Sequence, residues 1–429
     1  MLTRIDLRDF DGDVAQRLPR PAPPSEGPVE AVREILQSVK EFGDSAVREL
    51  TERFDGVKLE TAAVQHSETV AALERIDPLV RTALRSAAQR IEVYHRAQMP
   101  TDVDVSGAGV VISGMHRPVR RAGCYVPGGR AAYPSTVLMT AVVARVAGVA
   151  EVVVCVPPGS DGSVPDVTLA AAAVAGVDEV FAVGGAQAIG ALAYGTETIR
   201  PVDVIVGPGN AFVAVAKQQV AGVVGVPSSF AGPSEVVVVA DGSAPSEFAA
   251  IDLIVQAEHG PDGLAWLVTW DEDCADDVTA DVERLVRQAP RRHDIESTLA
   301  TSGYCVLCSG PAQAMAVSNH IAPEHLEIQT DDHESLLGEV RDAGAVFCGA
   351  WTPASLGDYV AGPSHVLPTS GTARFASSLT VRDFMKDIHV VTADEQGFAM
   401  LGDYVQALAG AEGLDAHAAS IRIRQQARS

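Results

Sequence analysis

The chain is poor in cysteine and in aromatic residues for its length. Six cysteines are scattered over 429 residues, and Phe, Trp and Tyr together make up 5% of the chain. So few cysteines exclude a scaffold held by disulfides, which needs many more cysteines per residue. Ala, Val and Gly are abundant instead, a composition typical of helices packed closely on a buried sheet.

Positive charge is also scarce. The chain has 32 Lys and Arg against 56 Asp and Glu, a formal net charge of −24. A nucleic-acid surface needs basic side chains to neutralise phosphates, so we expect no nucleic-acid partner. The same deficit offers no attraction to an anionic membrane surface. An acidic chain suits solubility and does not repel a small cationic substrate.

Long hydrophobic runs are absent. The longest apolar region, residues 137–156, is interrupted by Arg145 and Glu151, which argues against a membrane span. The N-terminus, "MLTRIDLRDFDGD", has no apolar core of a signal peptide. We therefore expect a cytoplasmic protein without a membrane partner. With 47% apolar and 21% charged residues, the chain is globular and long enough for two or more domains.

Strand and helix patterns alternate from about Gly123 onward. Runs such as "AEVVVCVPPG", "DEVFAVGG" and "SEVVVVAD" predict buried strands, and "DVTLAAAAVAGV" and "AFVAVAKQQVAG" predict helices between them. This alternation, with short Gly turns, is typical of βαβ units on a parallel sheet. The later runs "GLAWLVTW", "GYCVLCS" and "GAVFCGAW" predict a second α/β layer, which the first one interrupts.

The two ends of the chain show other patterns. Residues 1–18 predict a short arm, and the Pro-rich stretch at 18–28 predicts a hinge. Apolar residues at helical spacing over 29–98 predict helices. The tail, from about Arg382, predicts helices with a charged end.

Three Gly-rich loops precede predicted helices: "YVPGGRAAYPST" (125–136), "VGGAQAI" (183–189) and "VGPGNAF" (206–212). Such turns expose backbone N–H groups and the positive end of a helix to an anion. Any one of them could be an ordinary turn in which Gly suits the geometry. Three in one domain favour a nucleotide site, although no G-x-G-x-x-G sequence occurs.

The stretch "IVQAEHGPDG" ends a helix predicted over 246–260. Gln256 and His259 are three residues apart and share one face, with Asp252 one turn before Gln256. The Gln256–His259 pair could hold a divalent metal, or it could be an exposed helix end.

Three further segments place imidazoles and carboxylates in predicted loops. The pairs are Glu324 with His325, Asp358 with His365, and Glu412 with His417. A carboxylate beside an imidazole offers two proton-transfer groups with different pKa values. Each segment alone could be a solvated loop, but their recurrence favours a site.

Six segments, in this order, resemble the histidinol dehydrogenase family: "GPGNAFVAVAKQQV", "AGPSE", "QAEHG", "APEHLE", "GDYVAGPSHVLPT" and "EGLDAHAASIRIR". The resemblance covers nearly the whole chain. It implies oxidation of L-histidinol to L-histidine through L-histidinal, with two NAD+ and one zinc per subunit, as the last step of histidine biosynthesis. It also implies an α/β fold with two incomplete Rossmann-like domains with parallel sheets, and small helical dimerisation segments at both ends.

The resemblance also implies the site residues. The zinc ligands would be Gln256, His259, Asp358 and His417. The acid–base residues would be Glu324 and His325. The NAD contacts would be Tyr125, Gln187 and Asn210. The substrate contacts would be Ser234, Gln256, His259, His325, Asp358, His365, Glu412 and His417. In the implied homodimer, the C-terminal segment with Glu412 and His417 completes the site of the partner subunit.

The implied domains divide the chain into four parts. A Rossmann-like domain with the zinc and acid–base residues spans 22–125 and 236–380, and a second one, which binds NAD, spans 126–235. A small dimerisation domain combines 1–21 with 381–403. Residues 404–429 reach the partner subunit.

Several alternatives stay open. A cysteine such as Cys124 could attack the aldehyde, although buried packing is favoured for it, and Cys305 and Cys308 would face opposite sides of a strand. The chain could be a related zinc and NAD alcohol dehydrogenase for another small polyol, a metal-dependent hydrolase, or a non-catalytic zinc scaffold. Asp252 is a hypothetical partner that orients Gln256 or His259.

Overall fold

The computed structural model describes residues 1–19, 28–128, 131–228, 234–258 and 263–427. Contacts divide the chain into two units. Within the described ranges, unit 1 holds Met1–Gln98 and Arg120–Phe384, and unit 2 holds Met99–Val119 and Met385–Ser429. The four predicted domain boundaries stay a prediction.

Strands and helices alternate through most of the described chain. The strands are β1 Thr3–Asp6, β2 Ala63–Val64, β3 Val103–Gly107, β4 Val110–Pro118, β5 Arg121–Tyr125, β6 Glu151–Val156, β7 Glu179–Ala182, β8 Val204–Val206, β9 Glu235–Ala240, β10 Leu264–Thr269, β11 Gly303–Leu307, β12 His325–Gln329, β13 Ala345–Cys348 and β14 Met385–Ala393. The helices are α1 Val29–Asp55, α2 His66–Arg75, α3 Pro78–Ala97, α4 Pro134–Val146, α5 Asp166–Val174, α6 Gly185–Tyr194, α7 Ala211–Val220, α8 Ser246–Ala257, α9 Glu272–Val286, α10 Arg292–Ser302, α11 Pro311–Ile321, α12 His333–Leu337, α13 Ala354–Leu356, α14 Glu395–Ala411 and α15 Asp415–Gln426.

Unit 1 contains a six-stranded parallel sheet in the order β1-β11-β10-β9-β12-β13. Its central strand β9 reads "EVVVVA" and is buried throughout, because β-branched side chains pack well on both faces of a covered sheet. Separate apolar clusters cover the two faces, one containing Cys305 and the other Cys308. The two cysteines therefore face opposite sides of the sheet, as the strand period predicts.

Unit 1 also contains a five-stranded sheet in the order β2-β7-β6-β5-β8, in which only β2 at the edge is antiparallel. Helix α1 packs against α6 and α7, and these three share one apolar cluster with the sheet. Helix α4 packs against α3 and α5, which form the other helical layer together with α2. The predicted α/β class with two parallel sheets is confirmed.

Unit 2 contains a three-stranded antiparallel sheet in the order β14-β4-β3. The two helices α14 and α15 follow the last strand and pack against each other.

Three expectations from the sequence were wrong in detail. The arm at 1–18 contains β1, an edge strand that pairs with β11. The segment with His325 is not a loop, because His325 begins strand β12. The tail after Arg382 first forms β14, and its helices begin only at Glu395. All three strands carry charged side chains, so none shows the apolar run by which we recognised the others. The Pro-rich hinge lies mostly outside the described residues.

Candidate active site

A cleft of about 810 Å³ lies at the carboxyl edge of the five-stranded sheet. Tyr125 ends strand β5, Val156 ends β6, and Gly185 begins the helix after β7; all three line the cleft. The crevice outside the carboxyl ends of parallel strands is the usual ligand site of such sheets. The volume is within the range of small-molecule and cofactor pockets.

Glycines allow the turns around this cleft to approach the end of β5. Gly207 has φ +104°, and a Cβ at this position would lie 2.0 Å from the carbonyl oxygen of Tyr125. The backbone N–H of Gly185 donates to the hydroxyl oxygen of Tyr125 at 3.0 Å. Burial raises the pKa of Tyr125 to about 12, so its phenol stays protonated and can donate.

Polar groups in the cleft have free hydrogen-bonding capacity. The buried atoms Gln187 Oε1 and Thr168 Oγ1 have no hydrogen-bond partner among the residues that the structure describes. Asn210 is exposed, and its Oδ1 caps α7 by accepting from Val213 N at 3.1 Å. The structure thus brings the three predicted NAD contacts, Tyr125, Gln187 and Asn210, to one cleft. Thr168 was not predicted, because a threonine in a buried helix gives no sequence signal.

A second set of polar residues lies at the amino edge of the six-stranded sheet. We call Ser234, Glu235, Glu324, His325 and Asp358 the acid–base cluster. Ser234 Oγ donates to Glu324 Oε2 at 2.9 Å, and the backbone N–H of Glu235 donates to the same oxygen at 3.1 Å. Residue His325 starts β12 beside Val236 of β9, so the parallel register brings the two strand starts together.

His325 is held by an acceptor at each ring nitrogen. Nδ1 is 3.2 Å from the carbonyl oxygen of Glu235, and Nε2 is 3.2 Å from Asp358 Oδ1. Burial lowers the pKa of His325, but the charge of Glu324 and the bond to Asp358 outweigh it and raise the pKa to about 9. The ring therefore favours its protonated form in this cluster.

The carboxyl groups of the cluster are also perturbed. Burial raises the pKa of Glu324, although the nearby His325 opposes the change. Burial and the charge of Glu324 raise the pKa of Glu235 to about 8. Perturbed, mutually coupled titratable groups are typical of catalytic sites. Glu235 was not predicted from the sequence, because its only signal is an acid that opens an otherwise apolar strand.

His365 links the acid–base cluster to helix α4. Its Nδ1 lies 3.1 Å from the carbonyl oxygen of Asp358, and its Nε2 lies 2.9 Å from Thr136 Oγ1 in the first turn of α4. The chain just before α4, at Ala131 and Ala132, lines the cleft. A hydrogen-bonded path therefore runs from the acid–base cluster to the element beside the cleft.

Helix α8 carries the predicted ligand Gln256. A helix that follows a parallel strand runs back along the sheet, so the last turn of α8 returns to the amino edge, where His325 lies. Gln256 is buried, so an exposed helix end is wrong for this residue, and its Nε2 has no hydrogen-bond partner within the described ranges. His259 lies outside the described residues.

Asp252 does not bond to Gln256 directly. It accepts a hydrogen bond from Gln329 Nε2 at 2.7 Å, and the same nitrogen donates to Glu327 Oε2 at 2.8 Å. The second oxygen of Glu327 accepts from Ala354 N at 2.8 Å. This network joins α8, β12 and α13, the elements that carry Gln256 and His325 and that precede Asp358.

The remaining predicted residues lie in unit 2. Glu412 ends helix α14, and His417 lies in the first turn of α15; both are exposed. Within the described ranges, no group of three His, Cys, Asp or Glu side chains is placed to hold one metal.

Comparisons with known proteins agree on one family. A family model described as histidinol dehydrogenase matches residues 19–425. The histidinol dehydrogenase of a Synechococcus strain is 48% identical over 399 residues, which cover 92% of each chain. That of Moorella thermoacetica is 46% identical and covers 94% of this chain and 95% of its own. The chain belongs to the histidinol dehydrogenase family.

A solved structure of this family supports the fold. The crystal structure of histidinol dehydrogenase from Elizabethkingia anophelis matches with a TM-score of 0.94 and 33% identity, covering 99% of this chain and 98% of that one. The predicted Rossmann-like fold, the predicted histidinol dehydrogenase family and the predicted class of NAD-dependent oxidoreductase are confirmed.

The cysteines of this histidinol dehydrogenase family member are poorly suited to nucleophilic attack. Burial raises the pKa of Cys124 and of Cys308 to about 12 and that of Cys305 to about 11. The thiolate is the nucleophile, so such thiols are inert near neutral pH. Within the described ranges, no helix has the length and apolar character of a membrane span.

Proposed function

We propose that the chain oxidises L-histidinol to L-histidine through L-histidinal, with two NAD+, as the last step of histidine biosynthesis. The observation that carries the proposal is the buried, hydrogen-bonded acid–base cluster in the same unit as the cleft. The relatives named histidinol dehydrogenase span almost the whole chain and support the choice of substrate.

A proton must leave at three points: from the hydroxyl of the alcohol with the first hydride, from the water that adds to the aldehyde, and from the resulting gem-diol with the second hydride. His325 is the proposed base for the alcohol and gem-diol protons. It can accept a proton only in its neutral form, so we expect turnover to rise as pH approaches its raised pKa of about 9. Glu324 is the proposed base for the water, since Ser234 and Glu235 N both bind its Oε2 and leave Oε1 without a hydrogen-bond partner among the described residues. The contact between Glu324 Oε2 and His325 Nδ1, at 3.6 Å, couples their titrations.

The polar groups that line the cleft suit NAD+. Gln187 Oε1 and Thr168 Oγ1 are buried without partners among the described residues, and the phenol of Tyr125 is a protonated donor. Asn210, at the start of α7, adds an exposed amide. When bound, NAD+ supplies the hydride acceptor for both oxidations.

Zinc fits the proposed donor set of Gln256, His259, Asp358 and His417, because two imidazole nitrogens and two oxygens suit this ion. The amide of Gln256 is buried and its Nε2 has no hydrogen-bond partner in the described part of the chain, so the amide is free to turn its oxygen toward a metal. When bound, zinc would hold the imidazole and amino group of the substrate in position. Ser234, His365 and Glu412 are the further proposed substrate contacts.

The proposed homodimer would bring Glu412 and His417 of the C-terminal segment to the site of the partner subunit. The proposed compartment is the cytoplasm. Both rest on the family resemblance, and the proposed compartment also suits the acidic composition of the chain.

The decisive experiment is to mix the purified protein with L-histidinol and NAD+, with and without a chelator. We expect two NADH and one L-histidine per L-histidinol, and loss of turnover with the chelator that added zinc restores. Faster oxidation of a small diol than of L-histidinol would favour the polyol dehydrogenase instead. Absence of any NADH, with metal bound, would favour a hydrolase or a zinc scaffold.

Asp252 is a proposed positioning residue for the zinc ligands. Asp252→Ala removes the acceptor of Gln329 and loosens the network that joins α8 to β12. We expect zinc affinity to fall about tenfold or more, as for other partners of metal ligands. Asp252→Asn keeps one oxygen acceptor and should lose less. Unchanged zinc affinity by competition with a chromogenic chelator in the folded Asp252→Ala protein would contradict this role.

A further inference from the structure

Asp55, the last residue of α1, brings a carboxylate to the cleft that no sequence pattern singled out. It lines the cleft together with Tyr125, Thr168 and Gln187. Its buried Oδ2 has no hydrogen-bond partner among the described residues. Burial raises the pKa of Asp55. The charge of Asp55 adds to burial in raising the pKa of Tyr125, in keeping with their shared place in the cleft.

The carboxylate of Asp55 does not stabilise helix α1. A negative charge at the carboxyl end of a helix opposes the helix dipole, and Gly56 already ends α1 in a left-handed turn. Among the described residues that line the cleft, none is Lys or Arg. A buried carboxylate oxygen without a partner is unfavourable, and a ligand with hydroxyl donors would satisfy it.

Asp55 and the path to the acid–base cluster reach the cleft from opposite faces of the five-stranded sheet. Helix α1 packs with α6 and α7 on one face of the five-stranded sheet, whereas α4 belongs to the helical layer on the opposite face. Thr136, in the first turn of α4, contacts His365. The reacting half of a dinucleotide belongs on the α4 side, which leaves the adenosine half for the α1 side.

We propose that Asp55 binds the ribose hydroxyls of the adenosine half of NAD+ and selects against NADP+. Two vicinal hydroxyls can both donate to one carboxylate, the recognition that acidic residues provide in other dinucleotide sites. A 2′-phosphate at the same place would set two anions against each other. The inference rests on the proposed NAD+ function of this cleft.

Calorimetric titration without substrate tests the inference by binding alone. The ligands are NAD+, NADP+ and 2′-deoxyadenosine NAD+, and the proteins are the unaltered chain, Asp55→Asn and Glu52→Gln. Glu52 is exposed on the preceding turn of α1 and is not among the residues that line the cleft, so it controls for loss of one charge. We expect the unaltered chain and Glu52→Gln to bind NAD+ about 10- to 100-fold more tightly than either analogue.

Asp55→Asn should bind NAD+ about tenfold more weakly and should reduce its preference over both analogues. Equal affinity of the unaltered chain for NAD+ and NADP+, or an unchanged preference in the folded Asp55→Asn protein, would overturn the role of Asp55 and leave the proposed function standing. A complete lack of NAD+ binding by the unaltered chain would overturn the proposed function as well. The comparison of ligands on the unaltered chain does not depend on the folding of any variant.

Discussion

At the scale of single residues, burial places ionisable groups where their ordinary protonation states are unfavourable. The pKa values of His325, Glu324 and Glu235 depend on one another, because contacts at the sheet edge join these residues. Lys217 is different, because the described acceptors of its Nζ are two backbone carbonyls, those of Gly207 and Ser228. We propose that the first group acts in proton transfer, and we expect Lys217 to affect stability.

Glu324→Gln removes a base and keeps the size of the side chain. We expect turnover of L-histidinol to fall about 100- to 10,000-fold, the usual contribution of a positioned general base. Oxidation of supplied L-histidinal should suffer more than its formation from L-histidinol, because only the aldehyde step needs an activated water. Single-turnover kinetics with each substrate separates the two steps. Glu339→Gln, on the exposed surface, is the matched control and should behave as the unaltered chain.

Lys217 should make stability depend on pH. Burial lowers its pKa from 10.5 to about 8. Between these values the unfolded chain binds more protons than the folded one, so the free energy of unfolding gains from this residue as pH rises. From pH 8 to 10 the gain is about 2 kcal/mol relative to Lys217→Met. Urea midpoints of both proteins across this range give the difference, and a difference that falls with pH would contradict the assignment.

At the scale of elements, the strands with apolar interiors can be predicted from the sequence, but the strand that carries polar site residues cannot. The runs behind β6, β7 and β9 are apolar with Gly or Pro stops, and all three form as predicted. Strand β12, "HLEIQ", has three polar side chains that alternate on one face and are buried. Glu327 and Gln329 bond to each other and to neighbouring elements, contacts that no local pattern shows.

The candidate site could likewise be predicted only in part from the sequence. The glycine turns predicted the cleft, and the family motifs predicted Glu324 and His325. Neither indicated that the acid–base cluster lies at the amino edge of the second sheet, since that depends on the register of β9 and β12. Glu235 and Asp55 were missed because each is a single acid at the end of an ordinary element.

Arg121 ties together the starts of three strands in the five-stranded sheet. This buried side chain bonds to Glu151 at 2.7 Å and to Glu179 at 2.6 Å, at the edge opposite the cleft. Arg121→Met leaves both carboxylates without their buried partner and should cost about 2–4 kcal/mol. Thermal unfolding measures the loss, and NAD+ affinity should stay unchanged in the folded variant.

Arg200 provides the matched control for this prediction. It contacts the same two carboxylates, but its side chain is 61% exposed. Exposed ion pairs contribute little, so Arg200→Met should lower the unfolding temperature far less than Arg121→Met. Equal losses in the two variants would show that burial is not the reason for the effect.

At the scale of the whole molecule, the proposed dimer makes a quantitative prediction. His325→Ala would damage the site of its own subunit, and His417→Ala would damage the site of the partner. If the two variants are unfolded, mixed equally and refolded, half of the dimers are mixed, and each mixed dimer holds one intact site. Activity should return to about one quarter of that of the unaltered chain. Recovery near zero, with mixed dimers present, would mean that each C-terminal segment serves its own subunit.

The pairing of β1 with β11 also bears on how the protein is made. Thr3 lies beside Tyr304, so strand β1 has no neighbour in its sheet until about 300 more residues have been synthesised. The ion pairs of Arg4 and Arg8 with helix α9 likewise cannot form until α9 has been synthesised. Strand β1 is therefore among the last strands to pair in the six-stranded sheet. Residues fused before β1 would thus affect a late step of folding, the pairing of β1 with β11.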